Sequence, residues 1–239
     1  MEVLNDLLDY QGLKIYQDTE MFSFSLDSVL LANFVTLNKN IKEVLDIGSG
    51  NAVIPMILST KTKANITGIE IQEKSFNLGD KSIKYNKLED KITFINSDIK
   101  DYKKNSSQEV FDVITCNPPY FKVVDTSNLN KNDYKTIARH EIKLNLSELF
   151  KIASYLLKNK GNIAIVHRPE RLIEIIEEMK KNRIEPKRIQ LIYPGKDKEA
   201  NILLIEGVKN GNPGLKILQP LYSHENNEYT DEIKKYFKG

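Results

Sequence analysis

At 239 residues, 40% hydrophobic and 28% charged, the chain has the size and composition of one well-cored soluble domain with room for a small extension. No apolar run reaches the roughly 18 residues of a membrane span, the start Met1-Glu2-Val3-Leu4-Asn5-Asp6 lacks the basic-then-apolar layout of a secretory leader, and the single cysteine, Cys116, excludes an internal disulfide and a cysteine-cluster metal site; a cytoplasmic protein is expected. A formal net charge of only +2 means that any nucleic-acid footprint must be a local patch.

Residues 1–40 precede the first core strand. Within them Leu13-Lys14-Ile15-Tyr16-Gln17 and Met21-Phe22-Ser23-Phe24 read as a short hairpin, and Ser25 or Asp27 as the cap of a helix over 26–36. A strand at 44–47 runs into Asp46-Ile47-Gly48-Ser49-Gly50. A helix follows at 52–59, with Pro55 in its first turn, where a missing N–H costs little. Next come a strand at 66–70, a helix at 73–87 and strands at 92–96 and 111–116. Gly79, inside the 73–87 helix, costs about 1 kcal/mol relative to Ala, and the pattern alone does not explain it. Asn117-Pro118-Pro119-Tyr120 follows the 111–116 strand directly. The stretch Phe121 to His140 is polar, with little apolar periodicity, and reads as a mobile substrate loop. Ser147 is placed as the N-cap of a helix over 147–158, with Gly161 just past its end. A strand at 162–167, a helix at 170–181 opened by Pro169, and strands at 188–193 and 201–207 complete the chain. This alternation predicts an α/β fold, a doubly wound and mostly parallel seven-stranded sheet with helices on both faces and ligands at the carboxyl ends of the strands.

The chemistry-bearing residues fall at those ends. Gly48 and Gly50 let the backbone approach a ligand closely, but position 53 is Val53 where a dinucleotide fingerprint wants glycine. The leading Asp46 suits S-adenosylmethionine, whose sulfonium and amino groups are cationic, better than a pyrophosphate. Glu70 ends the next strand, 24 residues beyond Asp46, close to the spacing of a carboxylate that grips ribose hydroxyls. Asp98 follows the third strand and is placed to accept from the amino group of the cofactor's adenine. Asn117 offers a side-chain oxygen, and Pro118 a carbonyl held rigidly by its fixed φ. Together they accept both N–H groups of a planar amine, a poor nucleophile in need of a more tetrahedral nitrogen. Tyr120 gives a flat face on which a base can stack.

The order of these motifs resembles that of the class I methyltransferases, and Asn117-Pro118-Pro119-Tyr120 that of amino-methylating members. More closely, the chain is similar to bacterial tRNA adenine-N6 methyltransferases that act on the adenine 3′ of the anticodon in a valine tRNA. The likeness is carried by Phe24-Ser25-Leu26-Asp27-Ser28-Val29-Leu30-Leu31-Ala32, Ser49-Gly50-Asn51-Ala52-Val53-Ile54-Pro55, Ala138-Arg139-His140-Glu141, Glu185-Pro186-Lys187-Arg188, Lys198-Glu199-Ala200-Asn201 and Pro220-Leu221-Tyr222. Ala52 departs from it, where relatives carry glycine. The resemblance implies a Rossmann-like fold with an antiparallel last strand. It divides the chain into residues 1–40, a hairpin and helix covering the cofactor, and a methyltransferase domain over 41–239. It implies S-adenosylmethionine as cofactor, held by Phe24, Asp27, Asp46, Gly48, Gly50, Asn51, Glu70, Ile71, Asp98, Ile99 and Asn117. Asn117, Pro118 and Tyr120 are the expected catalytic residues, and Tyr120, Lys122 and Arg139 the expected contacts to tRNA.

No metal is expected, since His140, His167 and His224 have no ligand spacing. A monomer is favoured, and no membrane partner is expected. Three other readings stay open. A protein glutamine methyltransferase of the release-factor type shares the Asn-Pro-Pro-Tyr motif but carries a helical domain before the cofactor motif, for which only about 40 residues exist here. A DNA adenine methyltransferase needs an added target-recognition region. A catalytically silent RNA-binding module would have no use for Asp46, Glu70, Asp98 and Asn117.

Overall fold

The computed structural model describes residues 1–8, 10–19, 26–118, 144–226 and 228–238. At the N-terminus β1 (Glu2–Asp6) pairs antiparallel with β2 (Lys14–Asp18). The 13–17 segment of the expected hairpin thus pairs with β1, a strand that the sequence reading did not place. β1 is too exposed and polar to show an apolar alternation, and its ladder is reinforced by polar pairs such as Asn5 with Gln17 and Lys14 with Asp6. Residues 21–24 lie outside the described residues. α1 (Leu26–Phe34) then buries Val29, Leu30, Leu31, Ala32 and Phe34 against α2 (Val53–Lys61) and the sheet.

The core alternates as read from the sequence, with one short helix, Ile99–Lys104, that the reading did not place and with the strands Leu157–His167 and Ile184–Tyr193 starting earlier than expected. β3 (Glu43–Ile47), α2, β4 (Asn65–Glu70), α3 (Glu73–Tyr85), β5 (Ile92–Asn96), α4 (Ile99–Lys104), β6 (Phe111–Cys116), α5 (Leu146–Leu156), β7 (Leu157–His167), α6 (Leu172–Lys181), β8 (Ile184–Tyr193) and β9 (Ile202–Lys209) follow one another among the described residues. The seven long strands of the sheet lie in the order β5-β4-β3-β6-β7-β9-β8, with β9 antiparallel to both neighbours and the rest parallel. Two short strands, β10 (Lys216–Ile217) and β11 (Leu221–Tyr222), extend it beside β8. A small hairpin of β12 (His224–Glu225) and β13 (Glu228–Tyr229) and α7 (Asp231–Tyr236) close the chain.

Because parallel strands alternate their side chains between two covered faces, the core divides in two. Val44, Val113, Ala164 and Val166 join the cluster under α1 and α2, while Leu45, Ile47, Ile114, Cys116, Ile163 and Ile165 join that under α5 and α6. Glu206, buried on β9, fixes the far end of α1. It accepts from the Thr36 N–H and hydroxyl at 2.7 Å each and pairs with Arg188, whose guanidinium lies over the Phe34 ring.

Two local expectations are corrected. α5 is capped by Asn145, not Ser147. The Asn145 side chain accepts from the Glu148 N–H while the Glu148 carboxylate reaches back, a reciprocal capping box. α5 stops at Leu156, and Gly161 lies inside β7, where a Cβ would come 2.9 Å from the Asp112 carbonyl oxygen. Close strand approach, not helix termination, requires that glycine.

The chain runs outward from β3 through β4 to β5 and then returns to the other side of β3 as β6. The gap between the carboxyl ends of β3 and β6 is thus a topological switch point, where an open α/β sheet leaves a crevice for a ligand.

Candidate active site

Four residues lie in register across the sheet just below that crevice: Thr115 on β6, Asp46 on β3, Gly68 on β4 and Phe94 on β5. Asp46 is completely buried. The Thr115 hydroxyl donates to its Oδ1 at 2.6 Å, and its Oδ2 has no hydrogen-bond partner. Burial pushes the Asp46 carboxyl up to about 7; the Thr115 and Ser49 hydroxyls oppose this and the Glu70 charge adds to it. A buried acceptor left open beneath the crevice is costly unless something pairs with it.

Above Asp46 the chain turns through Gly48 at φ +70°, Gly50 at φ +56° and Ala52 at φ +67°. The Gly48 and Ser49 N–H groups donate to the Ile69 carbonyl at 2.9 and 3.0 Å, which ties the loop to β4. A Cβ at Gly48 or Gly50 would meet no atom within 4 Å, so the loop borders open space. Ala52 occupies a left-handed conformation that costs an L-residue about 1–2 kcal/mol. The departure from glycine noted at this position is therefore a backbone cost as much as a packing matter.

Glu70 is buried at the end of β4 and holds the loop from below. Its Oε2 accepts from the Gly50 N–H at 2.8 Å and its Oε1 from the Gln72 N–H at 2.7 Å. A carboxylate has about four acceptor sites, so two remain for a ligand. Asp98 caps α4, accepting from the Lys100 N–H at 2.8 Å. Ile71 is exposed beside Glu70, whereas the Ile99 side chain is part of the core, leaving only its backbone to line a pocket. Asn51 is half-buried in the loop, and Asp27 half-buried in the first turn of α1.

Asn117 is the first residue beyond β6 and is half-buried, and Pro118 is buried. The Asn117 Nδ2 donates to the Ser28 Oγ of α1 at 2.9 Å. The structure thus gathers Asp46, Gly48, Gly50, Asn51, Glu70, Asp98 and Asn117 at the carboxyl ends of four adjacent strands, β5, β4, β3 and β6. Phe24, Tyr120, Lys122 and Arg139 lie outside the described residues. Among basic residues elsewhere, Lys100 pairs with Glu148 and Lys104 with Asp101, Arg171 pairs with Glu174, and Arg168 donates to the Asn201 carbonyl, as surface charges do. His167 is buried, and burial pushes its imidazole down to about 4, so it is neutral near pH 7.

Sequence reasoning missed Thr115, Ser28 and the Phe94 platform. Thr115 carried a signal, a hydroxyl in the otherwise apolar buried run Val113-Ile114-Thr115-Cys116, two residues before Asn117. Ser28 carried none, because the contact spans 89 residues of chain. Phe94 explains Gly79 and Gly68 together. A Cβ at Gly79 would lie 2.5 Å from the Phe94 ring and 3.2 Å from the Asn51 backbone, and one at Gly68 would lie 2.8 Å from the same ring. The ring, stacked on Phe76 at 5.0 Å, fills the space both glycines leave under the loop.

An open acceptor on a buried acid, free space over two glycines and spare lone pairs on a second acid fit a ligand with a cationic portion and hydroxyl donors. Comparison with known proteins agrees. The tRNA1(Val) (adenine(37)-N6)-methyltransferase of Cytophaga hutchinsonii is 25% identical over 84% of this chain and 82% of its own length. That of Flavobacterium psychrophilum is 21% identical over 98% of both chains. That of Shewanella woodyi is 26% identical over 67% of this chain and 65% of its own length, just under two thirds. Among solved structures, a predicted O-methyltransferase of Agrobacterium tumefaciens superposes with a TM-score of 0.70 at 20% identity, covering 88% of this chain and 95% of that one. Pyrococcus horikoshii TYW2 in complex with MeSAdo superposes at 0.60 and 16% identity, covering 88% and 72%; both share the fold. The methyltransferase domain family matches residues 38–212, most of the chain, and the chain belongs to that family.

Proposed function

We propose that this protein transfers a methyl group from S-adenosylmethionine to N6 of an adenine in a tRNA anticodon loop, the adenine 3′ of the anticodon in valine tRNA. The observation that carries the reading is the pairing, across one switch point, of a buried acid with an open acceptor and a carboxamide whose NH2 end is already bonded. The names of the relatives support the substrate.

The cofactor supplies an electrophilic methyl group beside a positive charge. Asp46 Oδ2 accepts from its cationic portion, and the loop over Gly48, Gly50 and Asn51 lets its backbone come close. Glu70 receives ribose hydroxyls on its spare lone pairs. Asp98 and the flank at Ile71 and Ile99 receive its base. Phe24 and Asp27, within residues 1–40, cover it, over a methyltransferase domain running to residue 239.

Asn117 Oδ1 and the Pro118 carbonyl accept the two N–H groups of the target amine, which orients its nitrogen for in-line attack. Tyr120 stacks on the target base, with Lys122 and Arg139 beside the entry. Leaving the stack costs the base a few kcal/mol, least in an unpaired loop. The amine nitrogen forms the new bond to carbon as the carbon–sulfur bond breaks, and its proton passes to solvent afterwards.

Methyl transfer from labelled S-adenosylmethionine to unmodified tRNA, plasmid DNA and release factor, assayed in parallel, tests this. N6-methyladenosine in tRNA alone is the expected product. Label in release factor would move the assignment to glutamine methylation, label in DNA to a DNA adenine methyltransferase, and no label anywhere with intact cofactor binding to a silent RNA-binding module.

A further inference from the structure

We propose that Ser28 is a positioning residue that holds the Asn117 carboxamide in place against α1, with its oxygen left for the substrate. The proposal rests on the reading of Asn117 as the acceptor for a planar NH2 group, whichever molecule carries that group. A carboxamide has two ends of nearly equal shape and opposite hydrogen-bonding character. With its oxygen toward the target amine, Asn117 accepts an N–H. Rotated by half a turn, it sets its own NH2 against that N–H, donor against donor.

Among the described residues, the carboxamide makes one hydrogen bond, from Nδ2 to Ser28 Oγ at 2.9 Å. With the nitrogen toward α1, Oδ1 lies at the opposite edge; because a serine hydroxyl donates as readily as it accepts, what this bond holds is the position and plane of the carboxamide. The neighbours on β6 do not compete. Cys116 points into the core under α5 and α6, and the Thr115 hydroxyl is committed to Asp46.

Ser28 can hold an orientation because α1 is itself fixed along its length. Four consecutive residues, Val29 to Ala32, are buried. Asn33 bonds to Tyr10 and to the Val29 carbonyl, and the Phe34 carbonyl and Thr36 are fastened to Arg188 and Glu206. The first turn of α1 therefore acts as a rigid arm from the N-terminal segment into the catalytic motif, and a supporting side chain held by packing keeps its partner within the productive geometry.

Four variants test this: Ser28→Ala, Ser28→Thr, Asn117→Ala, and Ser28→Ala combined with Asn117→Ala. Ser28→Ala is expected to lower kcat about 10- to 100-fold, the scale of a misplaced reacting group, while KM and cofactor Kd stay within about twofold. Ser28→Thr restores most of the loss, and in the Asn117→Ala background Ser28→Ala costs nothing further. An unchanged kcat in Ser28→Ala overturns the proposal. So does a cofactor Kd that rises in parallel with the loss, or an equal loss in the absence of the Asn117 side chain.

If wild type methylates no tRNA but labels DNA or release factor, the substrate reading fails, and the same ratios are measured with that acceptor. A readout independent of substrate is the Asn117 side-chain NH2 signal in a nitrogen–proton correlation spectrum, assigned by its loss in Asn117→Ala. Its shift in Ser28→Ala and recovery in Ser28→Thr are expected, and an unmoved signal overturns the proposal.

Discussion

Asp46→Asn isolates the buried acid beneath the crevice. Its carboxyl is raised by burial from 3.8 to about 7, so between those values the folded protein holds a proton that the unfolded chain has lost. The sign follows: this group's contribution to stability falls as pH rises through that window, by about 1.4 kcal/mol per pH unit, and is level above it. From pH 5 to pH 8 the loss is about 3 kcal/mol in wild type. In Asp46→Asn it is absent, while Oδ1 still accepts from Thr115. A chain of this size shifts about 2–4 °C per kcal/mol, so the variant's Tm should gain roughly 6–12 °C on wild type between the two pH values. Thermal unfolding of both cofactor-free proteins by circular dichroism measures it. The same variant should lose at least about 10-fold in cofactor affinity at pH 8, since the open acceptor has been replaced by a donor. Parallel Tm profiles over the whole pH range would refute the account of Asp46 as a buried acid with one oxygen left unpaired.

Ala52→Gly should raise Tm by about 1–4 °C. It removes a left-handed penalty of about 1–2 kcal/mol and returns about 0.5–1 kcal/mol as backbone entropy. A lower Tm would show that the Ala52 methyl packs for more than its conformation costs. Gly79→Ala should cost about 1–3 kcal/mol by overpacking against Phe94 and should weaken cofactor binding through the adjacent Asn51 backbone. Adding Phe94→Leu should recover part of both losses, and denaturant titration with calorimetry reads them; no recovery would locate the strain elsewhere.

What was legible in the sequence was whatever depends on local pattern. The strands at 44–47, 66–70, 92–96 and 111–116 announce themselves by apolar runs, and each ends where the structure ends it or within a residue. The motif residues Asp46, Glu70 and Asn117 were legible because polar groups at the ends of such runs are conspicuous. What depends on distant contact was not. β1 has no buried face to give it a period, and its partner is fixed by cross-strand polar pairs. The boundary between α5 and β7 follows from a shifted register opposite Phe111 and Val113, which no window of residues reveals. Gly79 is a defect in a helix by local pattern and is required by the Phe94 ring beside it, and the Ser28 hydroxyl meets its partner 89 residues away.

The central claim is that Asn117 presents its oxygen to an adenine amine of tRNA. It is tested most directly by single-turnover methylation of a valine tRNA transcript by wild type and by Asn117→Ala, with the modified nucleotide mapped and cofactor Kd measured on both proteins. The account predicts N6-methyladenosine at the nucleotide 3′ of the anticodon with wild type. With Asn117→Ala it predicts a rate about 100-fold lower or less at a cofactor Kd within about twofold of wild type. Methylation at another atom, or a loss of rate matched by an equal loss of cofactor binding, would contradict it.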